Sequence, residues 1–504
     1  MKRLLDLPVA VLMDTFELFC QHCHPMSRAY LFSHDNLREY QWKYACDLGP
    51  SEPSSRVALA SLCRTNKFLN SIATPILYHW AHFPEGHSDD GRSFAFYRTM
   101  FLERPDLCQH VRSIHLEEKE LGDLPSELAD AIRHELGIVP ANPPKASSGG
   151  SLKDPSEDSS GGSLKDPSKD SSGGSSKDSS EDSSGGSSKD PSEDSSHVRL
   201  NSDPAPFRLG QRMTLPTLLA ADCIGLQEIC LEIDCMDDIM DCYPMRALPR
   251  LKTLIVTMSE SEDQLGTPRL QAIFRVAPGL KVLIISDLSY FFPSNQWANL
   301  RELILYESCL DIDAIQLLLL ACPILESFAY EIDVRHESPI TSPHTYPRDL
   351  IRTVSRYTRR TFRSLNLNLS YFWSTWSFDD PAEAMGSLRS LESLEHLELG
   401  LQSFLGGSRI ESDEDVPRRL LSWTFPFRIR SVTIEVACAV QAKILGLALD
   451  YFKRVCREEC PELETIVVRG IYSDFEIPGV SHLISSFEEI GVSLKLRHEP
   501  ILVQ

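Results

Sequence analysis

Ala321-Cys322-Pro323-Ile324-Leu325-Glu326-Ser327-Phe328 and Glu459-Cys460-Pro461-Glu462-Leu463-Glu464-Thr465-Ile466 follow one local plan: a helix end, a Cys-Pro turn, and a Leu-Glu entry into a short apolar alternation. Proline there ends the preceding helix and pre-sets the turn; Pro249 and Pro278 hold the equivalent place in other units. The alternation reads apolar, two variable residues, apolar, one variable, apolar, the pattern of a strand with one buried face. It returns as Leu226/Ile229/Leu231, Leu251/Leu254/Val256, Leu280/Leu283/Ile285, Leu300/Leu303/Leu305 and Leu325/Phe328/Tyr330, then as Phe362/Leu365/Leu367, Leu394/Leu397/Leu399, Ile429/Val432/Ile434 and Leu463/Ile466/Val468. Val111/Ile114/Leu116 is an early copy, and a ragged last one lies near Val492 to Leu496.

From Leu226 to Leu463 the first positions are spaced by 20 to 37 residues, and helical stretches at Leu270 to Val276, Ala314 to Ala321 and Ala442 to Cys456 fall between strands. A unit of this size cannot bury its own apolar face, so units must stack. The expected class is α/β, a solenoid with a parallel concave sheet and helices on the convex side. The pattern is similar to leucine-rich repeats, in the irregular form of F-box leucine-rich-repeat proteins, most like those of fungi.

The N-terminus carries a second resemblance. Leu7-Pro8 leads into Val11, Leu12 and Phe16, with Asp6 a plausible N-cap and Pro8 in the first turn. Val57 to Tyr78 reads as one amphipathic helix with Leu59, Leu62, Leu69 and Ile72 on a stripe, stopped by Pro75. Leu7-Pro8, Val11-Leu12, Phe16, Leu59, Leu62, Lys67, Leu69, Ile72-Ala73, Pro75 and Leu77-Tyr78 together resemble an F-box. That resemblance implies docking on a Skp-type adaptor, and through it a cullin, by Leu7, Pro8, Val11, Leu12, Phe16, Leu59, Leu62 and Leu69. It also implies a substrate-recognition subunit of a Skp-cullin-F-box ubiquitin ligase, whose repeats hold a protein substrate. The alternative is a non-ligase scaffold whose F-box-like hairpin is only the N-terminal cap of the solenoid.

The expected organisation is a helical module at 1–80 with an insertion at about 21–55, the start of the array at 81–120, a Ser/Gly/Asp/Lys linker at 121–205, and the solenoid at 206–504. Within the linker, 147–194 is four copies of a twelve-residue unit such as SSGGSLKDPSED. It lacks the apolar surface to offset ordering entropy and reads as a disordered insertion within the array. Its serines near acids would suit an acid-directed kinase.

Net charge of -22 argues against general affinity for nucleic-acid backbone. The longest apolar run, Ile315 to Leu325, is broken by Gln316 and Pro323 and too short for a bilayer, so no membrane partner is expected. The opening MKRLLDLPVAVLMD is interrupted by Asp6, Pro8 and Asp14 and does not read as a secretory signal. Fourteen cysteines without a disulfide spacing fit a reducing compartment, cytosol or nucleus. Cys20-x-His22-Cys23-His24 raises zinc, which needs about four ligands. One CxxC pair supplies two, with Cys46 and Cys63 farther on, so no metal or cofactor is expected. No Gly-rich phosphate loop, HExxH or GxSxG occurs, and a non-enzymatic role is expected.

Strand alternation sets the variable positions on the concave face. Candidate substrate-binding residues there are Glu232, Glu302, Tyr306, Glu331, Asn366, Asn368, His396, Glu398, Glu435 and Arg469. Such a face suits a basic, semi-hydrophobic segment, although scattered acids on a solvated face give the same pattern. Arg348, Arg352, Arg356 and Arg360 form an i+4 series, a solvated helix face or an acidic-ligand site.

Overall fold

In the computed structural model, most sheet strands are entered through a turn closed by an i to i+3 backbone hydrogen bond that ends on the first apolar residue of the pattern. The N–H of Leu226, Leu251, Leu280, Leu300, Leu325, Leu394 and Leu463 donates to the carbonyl of Cys223, Leu248, Ala277, Trp297, Cys322, Leu391 and Cys460 in turn. Pro249, Pro278, Pro323 and Pro461 take the second place of their turns, where a fixed φ near −65° is what the turn asks for. The structure describes residues 7–20, 23, 53–82, 99–116, 223–233, 248–258, 277–286, 288, 297–332, 346–358, 360–368, 385–405, 421, 424–470 and 475–498.

The turns feed twelve strands: β1 (Trp80–His82), β2 (Ser113–Leu116), β3 (Glu228–Ile233), β4 (Thr253–Met258), β5 (Val282–Ser286), β6 (Glu302–Ser308), β7 (Ser327–Ile332), β8 (Ser364–Asn368), β9 (His396–Gly400), β10 (Ser431–Val436), β11 (Thr465–Gly470) and β12 (Ser493–His498). They form one sheet in sequence order, each strand parallel to the next. Parallel neighbours in sequence order require a crossover between every pair, and this gives a solenoid-like α/β architecture. Just before each strand one carbonyl takes N–H donors from the next unit: His79 from Arg112 and Ser113, Arg112 from Gln227 and Glu228, Lys252 from Lys281 and Val282, and so on to Arg430.

From β4 to β11 the apolar triads point inward. Leu254, Leu283, Leu303, Phe328, Leu365, Leu397, Val432 and Ile466 make one continuous row of buried side chains, and the residues two further on make a second. At β12 the row ends, and Leu496 is exposed on the last strand. Gly225 lies so close to the preceding unit that an added Cβ would sit 2.6 Å from the Gln109 carbonyl oxygen.

Eight helices are described: α1 (Val9–Glu17), α2 (Pro53–Thr65), α3 (Lys67–Leu77), α4 (Ile312–Ala321), α5 (Pro347–Thr358), α6 (Leu401–Leu405), α7 (Ala439–Glu459) and α8 (Val480–Glu489). Those expected near Ala314 to Ala321 and Ala442 to Cys456 are α4 and α7; Leu270 to Val276 lies outside the described residues. Asp311 caps α4 by accepting from the Ala314 N–H at 2.6 Å. The single helix expected over Val57 to Tyr78 is two. Asn66 breaks it in an extended conformation and caps α3, its Oδ1 accepting from the Phe68 N–H at 2.7 Å. Pro75 does not stop α3, which runs two residues past it to Leu77. Pro8 is the residue before α1 rather than part of its first turn, and Asp6 lies outside the described residues. Of the insertion expected at about 21–55, residues 24–52 lie outside them, as do the 121–205 linker and the twelve-residue repeats. Among the described residues, no helix is long and apolar enough to cross a membrane.

Candidate functional site

The three N-terminal helices bury a small core of their own: Leu12 and Phe16 of α1, Leu59 of α2, and Leu69, Ile72, Ala73 and Ile76 of α3, with Leu7 and Leu62 half-buried against it. Of the expected adaptor residues, Leu12, Phe16, Leu59 and Leu69 are therefore interior and inaccessible to a partner. A helix with one apolar stripe spends that stripe on its own module. What α1 leaves outside is a different set. Pro8 is exposed, and so are Val9, Val11, Met13, Leu18 and Phe19, with Leu18 60% exposed. At about 100° per residue Val9 and Met13 lie on one side of α1 and Val11 on nearly the opposite side, while Leu18 and Phe19 follow the helix.

The same module holds a compact polar cluster. A turn follows α1, in which the Cys20 N–H donates to Glu17 O and the Cys23 N–H to Cys20 O, both at 3.0 Å. This folds both thiols to one side. His79 sits between α3 and β1 and is 3% exposed; its Nδ1 is 3.2 Å from Cys23 Sγ. One ligand atom from each of Cys20, Cys23 and His79 lies within 4.8 Å of the others. The sequence supplied the CxxC pair; His79, 56 positions beyond Cys23, has no local spacing that betrays it.

On the sheet, the candidate substrate residues fall at alternate positions on three ladders. Glu302 is on one ladder with Ser327, Ser364 and His396; Asn366 pairs with Glu398 on the next. Glu435 pairs with Arg469 on a third. Glu232 is in β3, paired with Thr257. The face divides by chemistry. Ile284, Ile304 and Tyr306 pack as an apolar cluster with Ile255, Val282 and Ala329 at β4 to β7. Polar groups take over from β8, where Arg469 Nη1 donates to Glu398 Oε1 at 2.7 Å across the intervening strand β10. His396 Nδ1 and Ser431 Oγ lie 2.7 Å apart.

This is not the solvated acidic face that alternation alone suggests. Tyr306, Glu331, Asn368, Glu435 and Arg469 are all buried, Glu302, Asn366 and Glu398 are partly so, and His396 is exposed. Burial also raises the Glu302 carboxyl above the usual carboxylate range. Strand alternation identifies the side of a sheet and carries no information about enclosure. At Glu307 the backbone turns to φ 43°, and the pairing of β6 with β7 shifts register between Leu305 and Ser308. Ser308 holds this bulge, its Oγ donating to Tyr306 O at 2.7 Å and accepting from the Leu288 N–H at 3.2 Å.

Arg348, Arg352 and Arg356 form an exposed stripe along α5, whose other side, Leu350, Ile351 and Val354, is buried. No family model matches the chain, and no curated protein matches it significantly.

Proposed function

We propose that this chain is the substrate receptor of a Skp-cullin-F-box type ubiquitin ligase, with α1 to α3 as an F-box-like module and the strand array as irregular leucine-rich repeats. The observation that carries the reading is the outer surface of α1. Five large apolar side chains, Val9, Val11, Met13, Leu18 and Phe19, stay exposed beside a module that already has its own core. Large apolar residues left uncovered around one short helix and the turn after it support an interaction surface, since soluble folds seldom expose many of them together. Fully burying one such side chain contributes roughly 1.5–3 kcal/mol.

In this reading the sheet face holds the substrate. The accessible part of that face, with His396 exposed and Glu302, Asn366 and Glu398 partly so, suits a polar or basic segment, while the enclosed cluster around Ile304 and Tyr306 serves as its packed floor. The chain itself forms no bond. It raises the effective concentration of a target lysine near a ubiquitin carrier.

A second reading, the module as no more than a cap, draws on His79, whose carbonyl accepts from Arg112 and Ser113 as the first member of the inter-unit series. Solenoids need such an end. Co-precipitation with a Skp-type adaptor separates the two. Wild type binds, and both Leu7→Ala/Pro8→Ala and Val11→Asp lose binding while staying folded; a folded wild type that captures no adaptor leaves the module as a cap.

A further inference from the structure

We propose that Cys20, Cys23 and His79 form a zinc site that ties the turn after α1 to the junction of α3 and β1. Two thiols and an imidazole are the donor set that selects zinc over hard cations such as magnesium or calcium. Tetrahedral zinc, with Zn–S of about 2.3 Å and Zn–N of about 2.0–2.1 Å, sets its donor atoms roughly 3.6–3.8 Å apart. The three donor atoms here already lie within 4.8 Å of one another, and the 3.2 Å between Cys23 Sγ and His79 Nδ1 needs to open by only a few tenths of an ångström.

Backbone hydrogen bonds hold the cluster's residues on both sides. The Cys23 N–H to Cys20 O bond closes the turn that aligns the thiols. On the other side, the His79 N–H donates to Ile76 O at 3.1 Å at the end of α3, and its carbonyl accepts from both Arg112 and Ser113 at 2.9 Å. Cys20 and His79 are 5% and 3% exposed, so two of the donors are withdrawn from bulk water, and the half-buried Cys23 gives the ion an approach. Among the described residues the site has three protein donors for the four tetrahedral positions. Zinc displaces the thiol protons on binding, so uptake releases protons and weakens as pH falls.

The consequence is mechanical. α1, which carries the exposed apolar surface, would be joined through the metal to the residue whose carbonyl begins the inter-unit hydrogen-bond series. Zinc would thus fix the angle between the proposed docking helix and the sheet.

The test uses the full chain, purified under reducing conditions, stripped with a chelator and titrated with Zn²⁺ alone against a chromophoric competitor, with Co²⁺ as a spectroscopic substitute. One equivalent is expected to bind, with a thiolate-to-cobalt charge-transfer band and a rise in Tm. Cys23→Ser, at the half-buried position, and His79→Gln each weaken binding by more than the roughly 10- to 100-fold that loss of an outer-sphere partner costs. Cys63→Ser, a half-buried cysteine of the same module whose Sγ faces Thr74 Oγ1, retains it. Reduced wild type that takes up no zinc overturns the proposal, as does uptake unchanged in both Cys23→Ser and His79→Gln. A Cys20–Cys23 disulfide that binds no zinc after reduction overturns it too.

Discussion

Breaking the Arg469–Glu398 pair should destabilise the C-terminal half of the sheet far more than loss of an ordinary surface ion pair. The Arg469 side chain is 7% exposed and reaches over β10 to meet Glu398, which is 25% exposed. Exposed pairs contribute about 0–1 kcal/mol, whereas removing one member of a fully buried pair costs about 3–5 kcal/mol. Water still reaches Glu398, which places Arg469→Met near the lower end, at about 2–3 kcal/mol. Glu398→Gln keeps the shape but leaves a guanidinium that cannot shed its proton, and should cost at least as much. The double variant Arg469→Met/Glu398→Leu removes both charges and should recover most of the loss, giving a coupling energy of about 2 kcal/mol. Native-state hydrogen exchange across β9 to β11 is the assay, because it reads local stability in an array that need not unfold all at once. Single variants below about 0.5 kcal/mol, additive in the double, would show a screened surface contact and refute the reasoning.

Three further outcomes follow from the packing. Burial pushes the Cys456 thiol up to about 11 and the Cys460 thiol up to about 12, and raises Tyr330 well above its ordinary value. These groups ionise first in the unfolded chain, so they stabilise fully below their unfolded pKa values, and the stabilisation is lost as pH rises from about 8.5 toward and through those raised values. Urea midpoints should fall between pH 8.5 and 10.5, and less steeply in Cys456→Ala/Cys460→Ala; an equal slope would count against it. The same burial predicts slow labelling by a thiol reagent at Cys322, Cys456 and Cys460 and fast labelling at exposed Cys438, checked by mass spectrometry of timed samples. Gly225→Ala places a methyl group against the Gln109 carbonyl between two units and should cost about 1–3 kcal/mol, a Tm loss that a well-tolerated substitution would contradict.

The repeat was legible because its signal is local and recurs. Leu254, Leu283, Leu303 and Leu365 are each legible only as members of a series whose spacing a strand demands, and the structure buries every one. The Cys-Pro turns were legible for the same reason, since proline acts on its own φ and its immediate neighbours. The helical module was read with the right residues and the wrong break. Pro75 falls so near the end of α3 that the hydrogen bond it lacks is almost the last, while Asn66 offers its side chain to the Phe68 N–H and starts a new helix.

Burial on the sheet face was not legible. Glu331 and Glu435 have the sequence context of solvated acids, and what encloses them is set by tertiary packing. Of the exposed residues on and after α1, Pro8 and Val11 were among the expected adaptor contacts, while Val9, Met13, Leu18 and Phe19 were not singled out. An apolar residue beside an amphipathic stripe reads as core until the partner helices are placed and Leu12 and Phe16 are seen to fill it. His79 had no sequence neighbour to mark it, because its relation to Cys20 and Cys23 exists only once α3 has returned the chain to the end of α1.

The central claim is that the outer face of α1 docks an adaptor. Calorimetric titration of the full chain with a purified Skp-type adaptor tests it most directly, comparing wild type with Val11→Asp. Val11 is 43% exposed, so the substitution leaves the module's core intact and Tm unchanged. The account predicts one-to-one binding by wild type and a loss of at least about 2 kcal/mol, roughly 30-fold, in the variant. No heat of binding with folded wild type, or equal affinity in the two, would contradict it.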